Sequence, residues 1–370
     1  MRKRSLRLVV LGLSLSSSWG NGHATTYRAL LKAFHARGHD ILFLERDTAW
    51  YAAHRDLHDP GYCRLALYAS LRALQRYRGE IAGADAVLVG SFVPDGIEIG
   101  DWVLANARGV VAFYDIDTPA TLASVEAGTC AYLTAEQIAR YDLYLSFTSG
   151  PVLRRLTSRY RARCTRALYC SVDPGIYRPR PTQTRWDLGY LGTYSPDRQP
   201  VLEHLLFEPA RRMPDLRFVV AGAQYPQDMR WPANIDHIAH VAPAQHADFY
   251  SSLRWALNVT RADMVKAGHS PSVRLFEAAA SGAPIVSDRW PGLEALFRPD
   301  EEILVAASPR DVLAALAIPE AQRRRIAANG RRRVLAQHTA LRRSGELESQ
   351  LLQAIARGRA GRAEPLAAHA

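Results

Sequence analysis

A chain of 370 residues is too long for one ordinary hydrophobic core and predicts two domains. With 48% apolar and 22% charged residues it reads as a soluble globular protein, and no run approaches the ~18 apolar residues of a membrane span. The net charge of +11, much of it in the arginine runs 323–325, 331–333 and 342–343, points to solvated helix faces, an anionic substrate or a membrane surface. No zinc-finger spacing or RNP-like strand supports a nucleic-acid partner.

The opening MRKRSLRLVVLGLSLSSSWGNGHA has the order of a secretory signal: basic residues, an apolar run, then small residues. Arg7 interrupts the run, which leads into a glycine-bearing turn and a helix. A first β-strand over LRLVVLGL therefore accounts for more of the pattern. That reading implies a retained N-terminus and a cytoplasmic protein, touching at most the inner membrane face. Cys63, Cys130, Cys164 and Cys170 form no C-x-x-C pair, which agrees with reduced thiols.

Gly20, Asn21, Gly22 and His23 follow the strand. Gly22 lets backbone approach a ligand closely, and His23 is a general-base candidate near neutral pH. A dinucleotide fingerprint needs glycine at position 25, where Thr25 stands, so Glu45 at the end of the second strand mimics a ribose-binding acid only incompletely. Further strands are expected over DILFLE, AVLVG, GVVAFYD and LYLSF, with helices over Thr25–Arg37 and Leu65–Arg78. Such alternation predicts a parallel α/β sheet covered on both faces. Asp115 and Asp117 close the fourth predicted strand and point to one side of it. A divalent cation is one reading, and Asp117 as helix N-cap or acceptor-orienting carboxylate is the other.

SVDPGIYRPRPTQTR carries Asp-Pro, glycine and two further prolines and predicts a linker over 171–185. The domains are thus 1–170 and 186–340, followed by a helix and frayed tail over 341–370. The second half repeats the first, with strands over DLGYLGT, LRFVVAG, a segment near Ile238, WALNV, APIVSD and EILVA. Helices are expected at Pro200–Arg212, Ala244–Ser252, Pro271–Ser281 and Pro309–Ala317, then helical pattern from Glu320 to Ala356. Two doubly wound domains predict a ligand cleft at the carboxyl ends of both sheets.

Gly192 and Thr193 form a flexible strand-end turn with Arg198 downstream, suited to a diphosphate, and Gly222 is a second strand-end glycine. In GHSPSVRLFEAAASGAP, Ser270 is the expected N-cap, Pro271 the first helical residue, and Gly282 with Pro284 the stop. Free N–H groups near Ser272 and Val273 suit a phosphate. Arg274 either adds to them or points outward. Glu277 lies about two turns in, about 9 Å along the axis from the expected helix start, within reach of a ribose.

These segments together resemble a GT-B glycosyltransferase, specifically the CgeB-like group of spore maturation type. SSWGNGHATTYRALLKAF, FYDIDTP, YLGTYSPDR, GHSPSVRLFEAAASGAPIVSDRWPGLE and the linker SVDPGIYRP carry the resemblance over about Leu6 to Ala340. It implies transfer of a sugar from a nucleotide-sugar donor, UDP-linked, with neither cofactor nor metal. Glu277 matches the second glutamate of the donor-site pair, and His269 stands where the first is expected. Arg198 matches the diphosphate-binding base, and Thr193 stands where an arginine is usual. His23 occupies the Gly-His position of inverting relatives, whereas the glutamate pair belongs to retaining ones. The acceptor is left open among protein, glycan, lipid-linked and small molecules. An epimerase on the same fold and a non-catalytic nucleotide-sugar-binding protein are the alternatives.

Overall fold

The computed structural model describes residues 4–20 and 22–363, with backbone alone over 359–363. Asn21 and the expected frayed tail beyond 363 lie outside the described residues. The chain forms two compact units, Met1–Tyr169 with Ala340–Ala370, and Cys170–Thr339.

The first unit holds a seven-stranded parallel sheet: β1 (Arg7–Gly12), β2 (Asp40–Arg46), β3 (Arg64–Tyr68), β4 (Ala86–Gly90), β5 (Val110–Asp115), β6 (Leu143–Ser146) and β7 (Thr165–Ala167), in the order β3-β2-β1-β4-β5-β6-β7. β1 pairs on both sides, with Val9 opposite Leu42 of β2 and Val87 of β4. Five of its six residues are buried, which explains the unbroken apolar run: a strand covered on both faces has no polar face to alternate with. The signal-like start is therefore an interior strand.

The helix expected over Leu65–Arg78 is a correction. Residues Arg64–Tyr68 pair with β2 as an edge strand, and only Leu71–Leu74 and Arg78–Gly83 are α-helical. Ser70 caps the first of these by accepting from the Ala73 N–H. Hydrogen bonding to β2 outweighs the weak helical preference of RLALY.

The second unit has six parallel strands: β8 (Trp186–Leu191), β9 (Phe218–Ala221), β10 (Ile235–Ile238), β11 (Leu253–Asn258), β12 (Ile285–Asp288) and β13 (Leu304–Ala306), ordered β10-β9-β8-β11-β12-β13. The outward order from β8 repeats that from β1, so each sheet reverses direction beside its first strand, and ligands bind such sheets at that carboxyl-end crevice. The stretch over 171–185 runs along this unit: Val172 bridges Thr339 and the Arg180 N–H donates to Ser251 Oγ. The pattern from Glu320 to Ala356 divides at His338 into Glu320–Gln337 and Ala340–Ala363. The latter packs on the first unit, burying Leu347 and Leu351 and setting Glu348 against Arg37 and His39. No helix among the described residues is long and apolar enough to cross a membrane. Among the described residues no disulfide joins Cys63, Cys130, Cys164 or Cys170.

Candidate functional site

In the first unit the loop after β1 is built around one carboxylate. Glu45 is fully buried and accepts from the N–H groups of Leu15 (2.6 Å) and Ser16 (2.9 Å) and the hydroxyls of Ser14 (3.1 Å) and Ser16 (2.6 Å). These bonds use its acceptor sites, so the acid at this sheet position anchors a loop. The loop delivers Gly22, where an added Cβ would meet nothing within 4 Å, and His23, in the first turn of the helix Gly22–His35.

His23 is 8% exposed, and its Nε2 lies 3.8 Å from Asp117 Oδ2. Its Nδ1 is buried without a hydrogen-bond partner. Asp117 occupies the N-cap of the helix Thr118–Glu126 but makes no side-chain cap bond, so its carboxylate is available to His23. Asp115 is engaged elsewhere: it accepts from Tyr144 OH (2.6 Å), Thr121 Oγ1 (2.7 Å) and the Asp117 N–H (3.2 Å). Complete burial raises its pKa to about 6 despite those donors. Among the described residues no group of three acidic, histidine or cysteine side chains is placed to share a metal ion.

Sequence reasoning missed the aromatic wall beside this pair. Phe92 meets the His23 ring edge-on at 5.4 Å and packs against Tyr132 at 4.6 Å. Its φ of +62° is costly for a bulky residue and belongs with the strained positions that cluster at functional sites. The positive φ has no signature in the sequence.

In the second unit the ends of β8 and β9 touch through glycines. Gly222 has φ +154°, and a Cβ there would stand 2.0 Å from the Gly192 carbonyl oxygen. A Cβ on Gly192 would meet Arg274 Nη2 and Tyr190 OH, both at 2.6 Å. Both glycines thus serve close packing within the protein.

Thr193 offers its carbonyl to Arg198 Nη2 at 2.6 Å. Arg198 Nε is buried without a partner, and burial, with Arg274 and Arg261 nearby, lowers its pKa. Arg274 points inward. Its Nε donates to the Leu191 carbonyl (2.5 Å), Nη1 to Asn258 Oδ1 (2.9 Å), and its guanidinium lies over the Tyr190 ring at 4.5 Å. Asn258 in turn donates to Ser287 Oγ (3.0 Å).

The helix that carries Arg274 spans Val273–Ala280, with Ser272 as its N-cap accepting from the Arg274 N–H. The start is therefore two residues later than the expected Ser270 cap. The preceding His269 has φ +51°, donates its N–H to the Pro291 carbonyl at 2.6 Å, and lays its ring against Gly292. That turn keeps Ser270 and Pro271 out of the helix.

One helical turn on, Glu277 is 4% exposed. Tyr250 OH donates to its Oε2 at 3.5 Å, and His246 Nδ1 is 3.9 Å away. Burial, then the Glu277 charge, raises the pKa of both Tyr250 and Tyr177, so the tyrosines stay protonated donors. Tyr177 is the aromatic residue of the SVDPGIYRP stretch, the one signal that could have placed it here.

Residues 198–349 match a family model described as glycosyl transferase-like. Sucrose-phosphate synthase from Thermosynechococcus elongatus superposes with a TM-score of 0.66 at 16% identity, over 94% of this chain and 100% of that one. An alpha-glucosyltransferase in complex with UDP-glucose and abasic DNA gives 0.73 at 11% identity, over 94% and 100%. Anabaena HepE in complex with UDP-glucose gives 0.67 at 12%, again over 94% and 100%. The fold is GT-B. No curated protein sequence is significantly similar to the chain.

Proposed function

We propose that the chain is a glycosyltransferase of the CgeB-like group that transfers a sugar from a UDP-linked donor, without a divalent cation, to an acceptor held by the first unit. The observation that carries this reading is Arg198. A largely buried guanidinium with an unused Nε and two guanidinium neighbours is incomplete without an anion. A diphosphate supplies one, and its charge grows as the glycosidic bond to the sugar breaks. Arg198 and the N–H groups near Ser272 and Val273 then bind the leaving group more tightly in the transition state than before it. Arg274 holds the ends of β8 and β11 in place beneath them. Glu277 accepts hydrogen bonds from the ribose hydroxyls, with Tyr250 fixing the carboxylate. The similarity of residues 198–349 to a glycosyl transferase-like family supports the same assignment. In the first unit, His23 and Asp117 take the proton of the acceptor hydroxyl.

The test is thermal melting with UDP, GDP, dTDP and NAD, followed by release of free nucleotide from the corresponding sugars. UDP is expected to raise the melting temperature, since a ligand at 100 times its Kd stabilises the folded state by about 2.7 kcal/mol. Glu277→Ala is expected to weaken UDP binding by roughly 1.5–3 kcal/mol, the range for a hydrogen bond to a charged group. A shift with NAD and none with any nucleoside diphosphate overturns the reading.

A further inference from the structure

The loop leaving β1 and the segment leaving β2 meet through aromatic rings. Trp19 stacks on His54 with centroids 4.4 Å apart and planes 12° apart, and Trp50 meets Trp19 edge-on at 5.0 Å. Trp50 is 59% exposed, although leaving so large an apolar ring in water is unfavourable.

Trp19 and His54 are carried on segments that hydrogen bonds tie together. Ser17 Oγ donates to the His54 carbonyl at 2.8 Å, and the N–H groups of Asp56 and Leu57 both donate to the Ser16 carbonyl at 3.0 Å. Ser18 and Arg28 both donate to the Asp56 carboxylate, and Glu45 fixes the same loop from beneath. Bracketing Trp50 in the chain, Thr48 Oγ1 and Arg55 Nε are buried with no hydrogen-bond partner. Both atoms lie on the segment that presents Trp50, and buried polar atoms without partners are uncommon in folded proteins.

An exposed indole on a segment that also carries the Asp47–Arg55 pair, beside a loop tied to Asp56 and Arg28, suits a pyranose ring. Its C–H face stacks on the indole while its hydroxyls, donors and acceptors at once, bond to these charged groups. A nucleobase would also stack. The same groups argue against one, because Arg28 is paired with Asp56 and Arg55 with Asp47, leaving neither cation for a phosphate backbone.

We propose that Trp50, backed by Trp19 and His54, is a saccharide-stacking platform that holds a sugar ring of the acceptor, an assignment that rests on the glycosyltransferase reading. It makes the acceptor a glycan or glycoside. The full-length protein is titrated with maltotriose, cellotriose and mannotriose, and with a single-stranded DNA oligomer, by tryptophan fluorescence and saturation-transfer NMR. At least one trisaccharide is expected to bind, with Trp50→Ala weakening it about tenfold or more, as for a central aromatic anchor, and Trp50→Phe retaining part of the affinity. The inference is overturned if no trisaccharide binds, if Trp50→Ala binds as tightly as wild type, or if only the DNA gives a Trp50-dependent signal. UDP-induced melting of the same samples reports on the donor reading, so a UDP shift without saccharide binding sinks this inference alone.

Discussion

The two nitrogens of His23 are in different positions to act: Nδ1 is sealed inside the protein, and Nε2 lies 3.8 Å from an Asp117 oxygen. That gap exceeds a hydrogen bond, yet a hydroxyl oxygen to one side of the pair can lie about 2.8 Å from both atoms. If His23 is the base, His23→Ala lowers turnover by ~10²–10⁴ while UDP affinity is kept. A variant within a few-fold of wild type in steady-state assays refutes the role. Asp115 makes a second prediction, on pH. Its folded pKa, about 6, lies above the ordinary 3.8, so its contribution to stability is complete below pH ~4 and is lost as pH rises through about 6. At 1.36 kcal/mol per pH unit the loss is about 3 kcal/mol. Urea unfolding of wild type against Asp115→Asn between pH 4 and 7 should show a gap changing by that order in favour of the variant as pH rises, and a constant gap contradicts the assignment. His23 and Asp117 were readable from sequence because each ends or follows a strongly apolar run. Phe92, Tyr132 and Tyr250 were not, since their contacts join residues distant in the chain.

At the level of elements, Gly222 makes a sharp case. A methyl group there would overlap a backbone carbonyl, which cannot rotate away as a flexible side chain could. Gly222→Ala is therefore expected to cost more than about 2 kcal/mol through strain and separation of the ends of β8 and β9. Chemical denaturation measures it, and a loss under half a kcal/mol would show that the strands part easily. The interior strands were legible because burial on both faces leaves continuous apolar runs. β3 and β7 were not: an edge strand is held largely by its neighbour, and RLALY fits a helix as well as a strand. The Ser270 cap failed for a related reason. Ser-Pro-Ser offers two capping serines, and the choice falls to the positive φ of His269 and its bond to Pro291.

At the level of the molecule, the two-sheet plan was legible from the repeated strand-helix alternation, but the allegiance of the last helix was not. Nothing in its amphipathic pattern says which unit receives Leu347 and Leu351. Each fully buried leucine contributes about 1.5–3 kcal/mol, large against the 5–15 kcal/mol that stabilises a typical domain. Residues 1–169 expressed alone should therefore lack fixed tertiary packing, and a peptide of residues 340–363 should restore it, read by near-UV circular dichroism. A well-folded 1–169 fragment would show the helix to be dispensable. The same connectivity dictates an order of events on the ribosome. Unit one's sheet and its own helices emerge first, but the surface that the last helix covers, chiefly on the helix Gly22–His35, stays open until the segment after Thr339 has been synthesised, by which time every residue of unit two is available. The half of the protein that begins first is completed last, and in the interval its exposed helix faces are the part that chaperones must shield.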